Sequence, residues 1–322
     1  MIISASRRTD IPALYGEWFI NRINSGFLFV RNPFSNNIVT RIDLSPDVVD
    51  CIVFWTKNPG PFLDKLRLID RYSYYFLFTL TPYDATLEKN IPGKKEIITT
   101  FRKLSDEAGK GRVIWRYDPV IYTDSINIDY HLRGFEYLAK ELHRHTGKCI
   151  ISFLYMYNKC KRNLKGTGAR ELTEDEKHVL SAKIAAIADD YNITVEACAV
   201  STGLSADGIK PCSCIDKALV EKIVGKHLQI GKDKNQRKEC NCYESIDIGG
   251  YNTCLHNCLY CYANSNFEAA AQNFRKHDVN SPFLIGGSAE GDTFSRREQK
   301  SLVTDDFKEL KPGGLYKRPD DY

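Results

Sequence analysis

Eleven cysteines are spread through 322 residues, and five of them fall in one short stretch, ECNCYESIDIGGYNTCLHNCLYCYAN, from Glu239 to Asn264. Cys254, Cys258 and Cys261 follow one another as C-x3-C-x2-C. Three thiolates at this spacing can take three corners of an iron–sulfur cubane (4Fe-4S) and leave the fourth iron open. A structural zinc site or an electron-transfer cluster normally takes a fourth protein ligand. The open iron can hold a small molecule through an amino and a carboxylate group. His256 or another cysteine would close the site instead, giving a structural zinc or a closed cluster.

A second set of thiols is available. Cys240 and Cys242 form a C-x-C pair, and Cys198 and Cys214 lie at and just after the last expected strand. Four thiolates close a tetrahedral zinc site or an auxiliary iron–sulfur cluster. Cys212 competes with Cys214 on spacing, and the bland alternative is a group of reduced, half-buried thiols. Cys51 and Cys149 sit inside apolar runs and are expected in the core; Cys160 lies beside a strand.

Other chemistry collects where apolar runs end. SRRTD (Ser6–Asp10), WTKNP (Trp55–Pro59), TLTPY (Thr79–Tyr83), WRYDP (Trp115–Pro119), FLYMYNK (Phe153–Lys159) and EACA (Glu196–Ala199) close six such runs. Arg7, Arg8, Asp10, Lys57, Arg116 and Asp118 are the candidate catalytic and substrate-binding side chains. Arginine offers a bidentate fork to a carboxylate or phosphate. The alternative is ion pairing across the mouth of the fold, such as Arg8 or Arg116 with Asp118. Trp55, Trp115 and Tyr117 are expected to wall the pocket, and Glu196 to hydrogen-bond an ammonium or pair with a strand-end arginine. The basic run KCKRNLKGTGAR carries Lys159, Lys161, Arg162, Lys165 and Arg170. It is either a solvated loop or a nucleic-acid contact. His131, His143, His145 and His178 lie in helical patterns and are expected at surfaces or helix ends.

Six strands must position these ends: Ile2–Ser6, Cys51–Thr56, Tyr74–Leu80, Val113–Tyr117, Cys149–Tyr155 and Ile193–Ala199. They are mostly continuous apolar runs, as in a parallel sheet covered on both faces. Helical patterns lie between them at Pro12–Ile23, Phe62–Ile69, Lys94–Ala108, Tyr130–His143 and Glu174–Asp190, the last with Thr173 as N-cap. Phe27–Asp43 patterns as a hairpin, and Lys217–Val224 and Phe267–Lys276 as later helices. The alternation indicates an α/β fold. Both a partial (β/α)6 TIM-type barrel and a doubly wound sheet fit it, and the density of chemistry at strand ends favours the barrel. The expected organisation is a barrel over 1–225, a cysteine-rich cluster segment over 226–285 packed on the barrel mouth, and a polar, peripheral tail over 286–322.

Composition excludes some classes. Hydrophobic residues make up 43% and charged residues 27%, the mean hydropathy is −0.37, and no apolar run reaches the ~18 residues a membrane helix needs. The first residues, MIISASRRTD, do not pattern as a signal peptide. A cytoplasmic protein is therefore expected, in which clustered cysteines are metal ligands rather than disulfides. A net charge of +4 is too small to argue for nucleic acid.

The segments SASRRTDIPA, FWTKNP, WRYDP, SFLYMYNK, QRKECNC and DIGGYNTCLHNCLYCYAN resemble an uncharacterised prokaryotic domain-of-unknown-function family. That family is grouped with radical S-adenosylmethionine (SAM) enzymes near spore photoproduct lyase, and the resemblance runs from Ile2 to about Asn264. It implies a partial barrel of radical SAM type and a 4Fe-4S cluster on Cys254, Cys258 and Cys261; SAM is then expected on the open iron, with Trp55 and Glu196 as the residue-level candidates to contact it. The resemblance names no substrate or reaction; as a radical SAM-like enzyme the chain is expected to cleave SAM reductively to a 5′-deoxyadenosyl radical. The expected partners, read from the strand-end residues and the proposed chemistry, are a cytoplasmic electron donor and an anionic or polar, small-molecule or nucleotide-like substrate. Rival readings are a nucleic-acid lesion repair enzyme and a non-catalytic iron–sulfur or zinc protein. Two features depart from the superfamily. Its cluster loop ordinarily follows the first barrel strand, whereas here it follows the sixth expected strand, from where it can still cover the same mouth. Its glycine-rich GGE-like segment after the second strand has no counterpart, and WTKNP stands there.

Overall fold

The computed structural model describes residues 1–35, 37–199, 202–295 and 298–304. The apolar runs form strands β1 (Ile2–Ala5), β4 (Cys51–Thr56), β5 (Tyr74–Thr79), β6 (Val113–Val120), β7 (Lys148–Phe153) and β8 (Thr194–Ala197). The expected hairpin is β2 (Phe27–Arg31) and β3 (Ile38–Asp43), antiparallel, with β11 (Thr293–Ser295) added parallel to β3. Two further short strands, β9 (Lys210–Pro211) and β10 (Ile246–Asp247), complete an eight-stranded parallel sheet in the order β10-β1-β4-β5-β6-β7-β8-β9.

That sheet is open, with β10 and β9 as its edges. It is a mixed α/β fold, and no closed barrel forms among the described residues. The order from β1 to β9 never reverses, unlike a doubly wound sheet, whose order switches direction at its binding crevice. Crossovers of one hand then place the connecting helices on one face. These are α1 (Ile11–Leu14), α2 (Gly16–Ser25), α3 (Lys94–Ala108), α4 (Ile128–Leu142) and α6 (Glu174–Asp190). Strand residues alternate accordingly. Ile3, Phe54, Phe76, Trp115 and Ile151 pack under the helices, while Ile2, Val53, Leu77, Ile114 and Ile150 face the other way. The second face is covered by the late segment, through Cys212, Cys214, Ile215, Cys242 and helix α7 (Lys217–Val224).

Local chemistry explains several boundaries. The expected helix Pro12–Ile23 is two helices, broken at Tyr15. Asp10 caps the first through Ala13 N (3.0 Å), and Gly26, at φ 76°, ends the second. Phe62–Ile69 belongs to a longer 3-10 segment, Gly60–Ile69. Thr173 caps α6 in a reciprocal capping box with Glu176, satisfying amides that the first turn leaves free. The last part of the expected tail, 305–322, lies outside the described residues. Its earlier part is docked: β11 joins the small sheet, and Leu302 N donates to Asp50 Oδ2 (2.8 Å). No helix among the described residues is long and apolar enough to cross a membrane.

Candidate functional site

The strand ends open onto a cavity of about 320 Å³. Arg7, Arg8 and Asp10 enter it after β1, Trp55 and Lys57 at β4, and Arg116 and Asp118 at β6. The loop cysteines Cys254, Cys258 and Cys261 line it too, as do Cys198, Cys214, Cys240 and Cys242. Segments more than 250 residues apart in the chain, such as those of Arg7 and Cys261, thus meet at one mouth. Short-range pairing alone would not bring them there.

The cysteine loop is fastened on every side. It follows β10, which pairs parallel with β1 (Ile3 with Ile246, Ser4 with Asp247). The Asp247 carboxylate accepts from Ser6 Oγ (2.6 Å), Arg7 N (2.8 Å), Arg8 Nε (3.1 Å) and Gly249 N (3.0 Å). Burial alone would push this carboxyl up. Arg8 and the hydrogen bonds outweigh it and hold it below the ordinary range. A Cβ on Gly249 would fall 2.1 Å from Ser6 Oγ, so only glycine lets the loop pass this close to β1. Across the loop, Asp10 Oδ2 meets His256 Nε2 (2.7 Å) and Lys57 N (2.7 Å). Burial raises the Asp10 carboxyl, but His256 and the amide more than reverse this.

Glu88 anchors the far side and was not foreseen in the sequence. It is 2% exposed. Its carboxylate accepts from Lys57 Nζ (2.8 Å), Lys94 Nζ (2.5 Å) and Thr81 Oγ1 (2.7 Å), and from the Tyr260 hydroxyl. Desolvation opposes its charge, yet the two lysines prevail and lower its pKa to about 2. Leu259 N also donates to Leu87 O (2.9 Å), and Asn90 Nδ2 to Leu255 O (2.7 Å). Burial pushes the Cys258 thiol up to about 12, with Lys57 pulling in the opposite direction.

The remaining candidates divide. Arg8 is consumed by Asp247 and Lys57 by Glu88, so both act as fasteners. Arg116 Nη2 meets Asp118 Oδ2 at 2.5 Å, and Ser152 also donates to that carboxylate. Two guanidiniums pack on the Trp55 ring, Arg7 at 5.2 Å and Arg116 at 4.8 Å from its centroid. Arg7 Nη2, Arg116 Nε and Trp55 Nε1 are buried with no hydrogen-bond partner. Burial would lower the Arg116 pKa, but Asp118 and the nearby thiols Cys214 and Cys198 raise it.

Three expectations are corrected. Trp115 and Tyr117 do not wall the cavity: they flank Arg116 in β6, so they project under the helices, where both are fully buried. Glu196 does not line the cavity and pairs with Lys148 (2.6 Å). His131 is a core residue, 0% exposed, between the Tyr117 hydroxyl (2.8 Å) and Ile121 O (2.7 Å). The basic run is partly tied down as well. Helix α5 (Asn158–Asn163) puts Arg162 on Ser265 O, and Arg170 pairs with Glu176 (2.6 Å).

Among the described residues, one set of three or more cysteine, histidine or carboxylate ligand atoms lies entirely within 4.8 Å: the sulfurs of Cys198, Cys212 and Cys214. The loop cysteines stand wider apart than this. The chain matches the model of a domain of unknown function, DUF1848, over residues 2–263. It belongs to the DUF1848 family. No curated protein matches the chain. Among solved structures, a chain described as a "putative alpha-L-fucosidase" from Bacteroides thetaiotaomicron is similar at 12% identity, over 72% of this chain and 83% of that one, with a TM-score of 0.26. That likeness carries no argument about this DUF1848 chain.

Proposed function

We propose that this DUF1848 chain is a radical SAM-like iron–sulfur enzyme acting on an anionic or polar, small-molecule or nucleotide-like substrate. The observation that carries the reading is the place of β10. Counted from β10, the strands β10-β1-β4-β5-β6-β7 make six in a row, with the cysteine loop following the first of them. On this reading those six strands would correspond to a circularly permuted partial (β/α)6 barrel, with β8 and β9 as additions at the far edge. On this count the second strand is β1, so the segment in the place of a GGE-like motif is Ser6–Asp10 rather than WTKNP.

Cys254, Cys258 and Cys261 would hold the cluster. Their three sulfurs do not all lie within 4.8 Å of one another, which is compatible with each thiolate binding a different iron. A 4Fe-4S cluster held there would supply one-electron reducing power, drawn from an external reductant, for the cleavage of bound SAM. The chain itself positions and shields. Lys57, beside Cys258 and Glu88, offsets thiolate charge. Tyr260 and His256 lock the loop against Glu88 and Asp10. Arg7 and Arg116 present unused N–H donors to a carboxylate or phosphate, and Trp55 gives a flat wall with one free donor. The half-enclosed cavity limits water around a reactive species. A nucleic-acid strand has less to bind, because Arg162 and Arg170 are engaged within the fold.

The reading is tested by incubating anaerobically reconstituted protein with SAM and dithionite, then measuring 5′-deoxyadenosine. Wild type should form it and Cys258→Ala should not. A fully loaded wild-type cluster that leaves SAM intact would remove the radical mechanism.

A further inference from the structure

The thiols behind the loop form a second, separate construction. Cys198 Sγ and Cys214 Sγ are 3.4 Å apart, and Cys212 Sγ joins them within 4.8 Å. A single tetrahedral ion with metal–sulfur bonds of about 2.3 Å holds its sulfurs about 3.8 Å apart. The trio, with one pair at 3.4 Å and all three sulfurs within 4.8 Å, brackets that spacing. A polynuclear cluster spreads its thiolates over several metals, as the loop cysteines are spread.

Cys242 stands just outside the trio, against Cys214, and is 2% exposed. The Ile215 amide, one residue beyond Cys214, donates to Cys242 Sγ at 3.5 Å. The two C-x-C segments are braced to each other by Ser213 Oγ to Asn241 O (2.7 Å) and Tyr243 N to Ile215 O (3.1 Å). Cys240 neighbours Cys242 and is less buried. Above these sulfurs lie Arg7, against Cys242, and Arg116, beside Cys214 and Cys198. Each keeps a buried N–H without a partner. Four thiolates around a dication carry a net charge of −2, which the positive charge of the two nearby guanidiniums offsets in part.

We propose that Cys198, Cys212, Cys214 and Cys242 form a closed, mononuclear tetrathiolate site for one zinc-type divalent ion, with Cys240 outside the ligand set. Its ligands come from the end of β8, the β9–α7 junction and the segment before β10. One ion therefore ties three stretches of chain together and fixes the wall carrying Arg7 and Arg116. The proposal uses none of the loop cysteines and stands whether or not they bind a cluster.

The test is metal analysis of the full chain, expressed with both zinc and iron supplied and purified anaerobically. Wild type should hold about one zinc per chain. Cys214→Ser and Cys242→Ser should lose at least nine tenths of it while keeping loop iron; Cys254→Ala should lose iron and keep zinc; Cys240→Ser should keep zinc. Zinc retained in full by Cys242→Ser would overturn the ligand set. Iron rather than zinc lost from Cys214→Ser, or a Cys198–Cys214 disulfide in its place, would overturn the site. Should the serine variants fail to fold, zinc-edge X-ray absorption of wild type decides. A pure sulfur shell at about 2.3 Å without a metal–metal distance is expected, and a nitrogen or oxygen shell, or a second metal, would overturn it.

Discussion

Glu88 is the residue on which the cysteine loop rests most heavily. Truncating it leaves Lys57 and Lys94 facing each other in a buried pocket, so Glu88→Ala should cost about 3–5 kcal/mol in urea unfolding. An unchanged midpoint would show that the lysines find other partners at little cost. The pH dependence follows from the sign of the shift. Its carboxyl is lowered from 4.5 to about 2, so its stabilisation is complete above 4.5 and is lost as the pH falls through about 2. Wild type should therefore lose stability across that interval, and Glu88→Gln should lose much less. Parity along β6 was legible in the sequence and decides the Trp115 question: neighbours in a strand point to opposite faces. Arg116 in the cavity therefore excludes Trp115 and Tyr117 from it. Glu88 had no such local signature, because its partners Lys57 and Tyr260 come from strands and loops far along the chain.

Among the elements, those set by local pattern were the most legible. Helices α3, α6 and α7 begin and end where their periodicity does, and six strands lie within two or three residues of their apolar runs. Thr173→Ala should cost about 1 kcal/mol in thermal or urea unfolding without altering iron content, since α6 lies on the helix face. The two-residue strand β10 is different. Two residues carry no periodicity, and its partner β1 lies more than 240 residues earlier. Gly249→Ala tests its role directly. The added methyl collides with Ser6 and should cost about 1–3 kcal/mol and reduce bound iron several-fold. Iron content equal to wild type would mean that the loop does not depend on its approach to β1.

For the whole molecule, an open parallel sheet brings all its strand ends to one mouth, and the returning C-terminal segment covers both that mouth and the second face. The α/β class was legible from alternating runs; the open edges were not, because closure depends on strand register and tilt rather than on residue pattern. The cysteine motif reads as a metal loop from its spacing alone, an expectation that iron analysis tests. The tight grouping of Cys212 with Cys198 and Cys214 became visible only when β9 paired with β8. On the proposed function, the loop cysteines leave one iron of a cluster open. The most direct measurement is EPR of the anaerobically reduced protein with and without SAM, beside iron and sulfide analysis. The account predicts about four irons at the loop site and a spectrum that changes on adding SAM. A spectrum indifferent to SAM, or zinc at the loop cysteines, would contradict it.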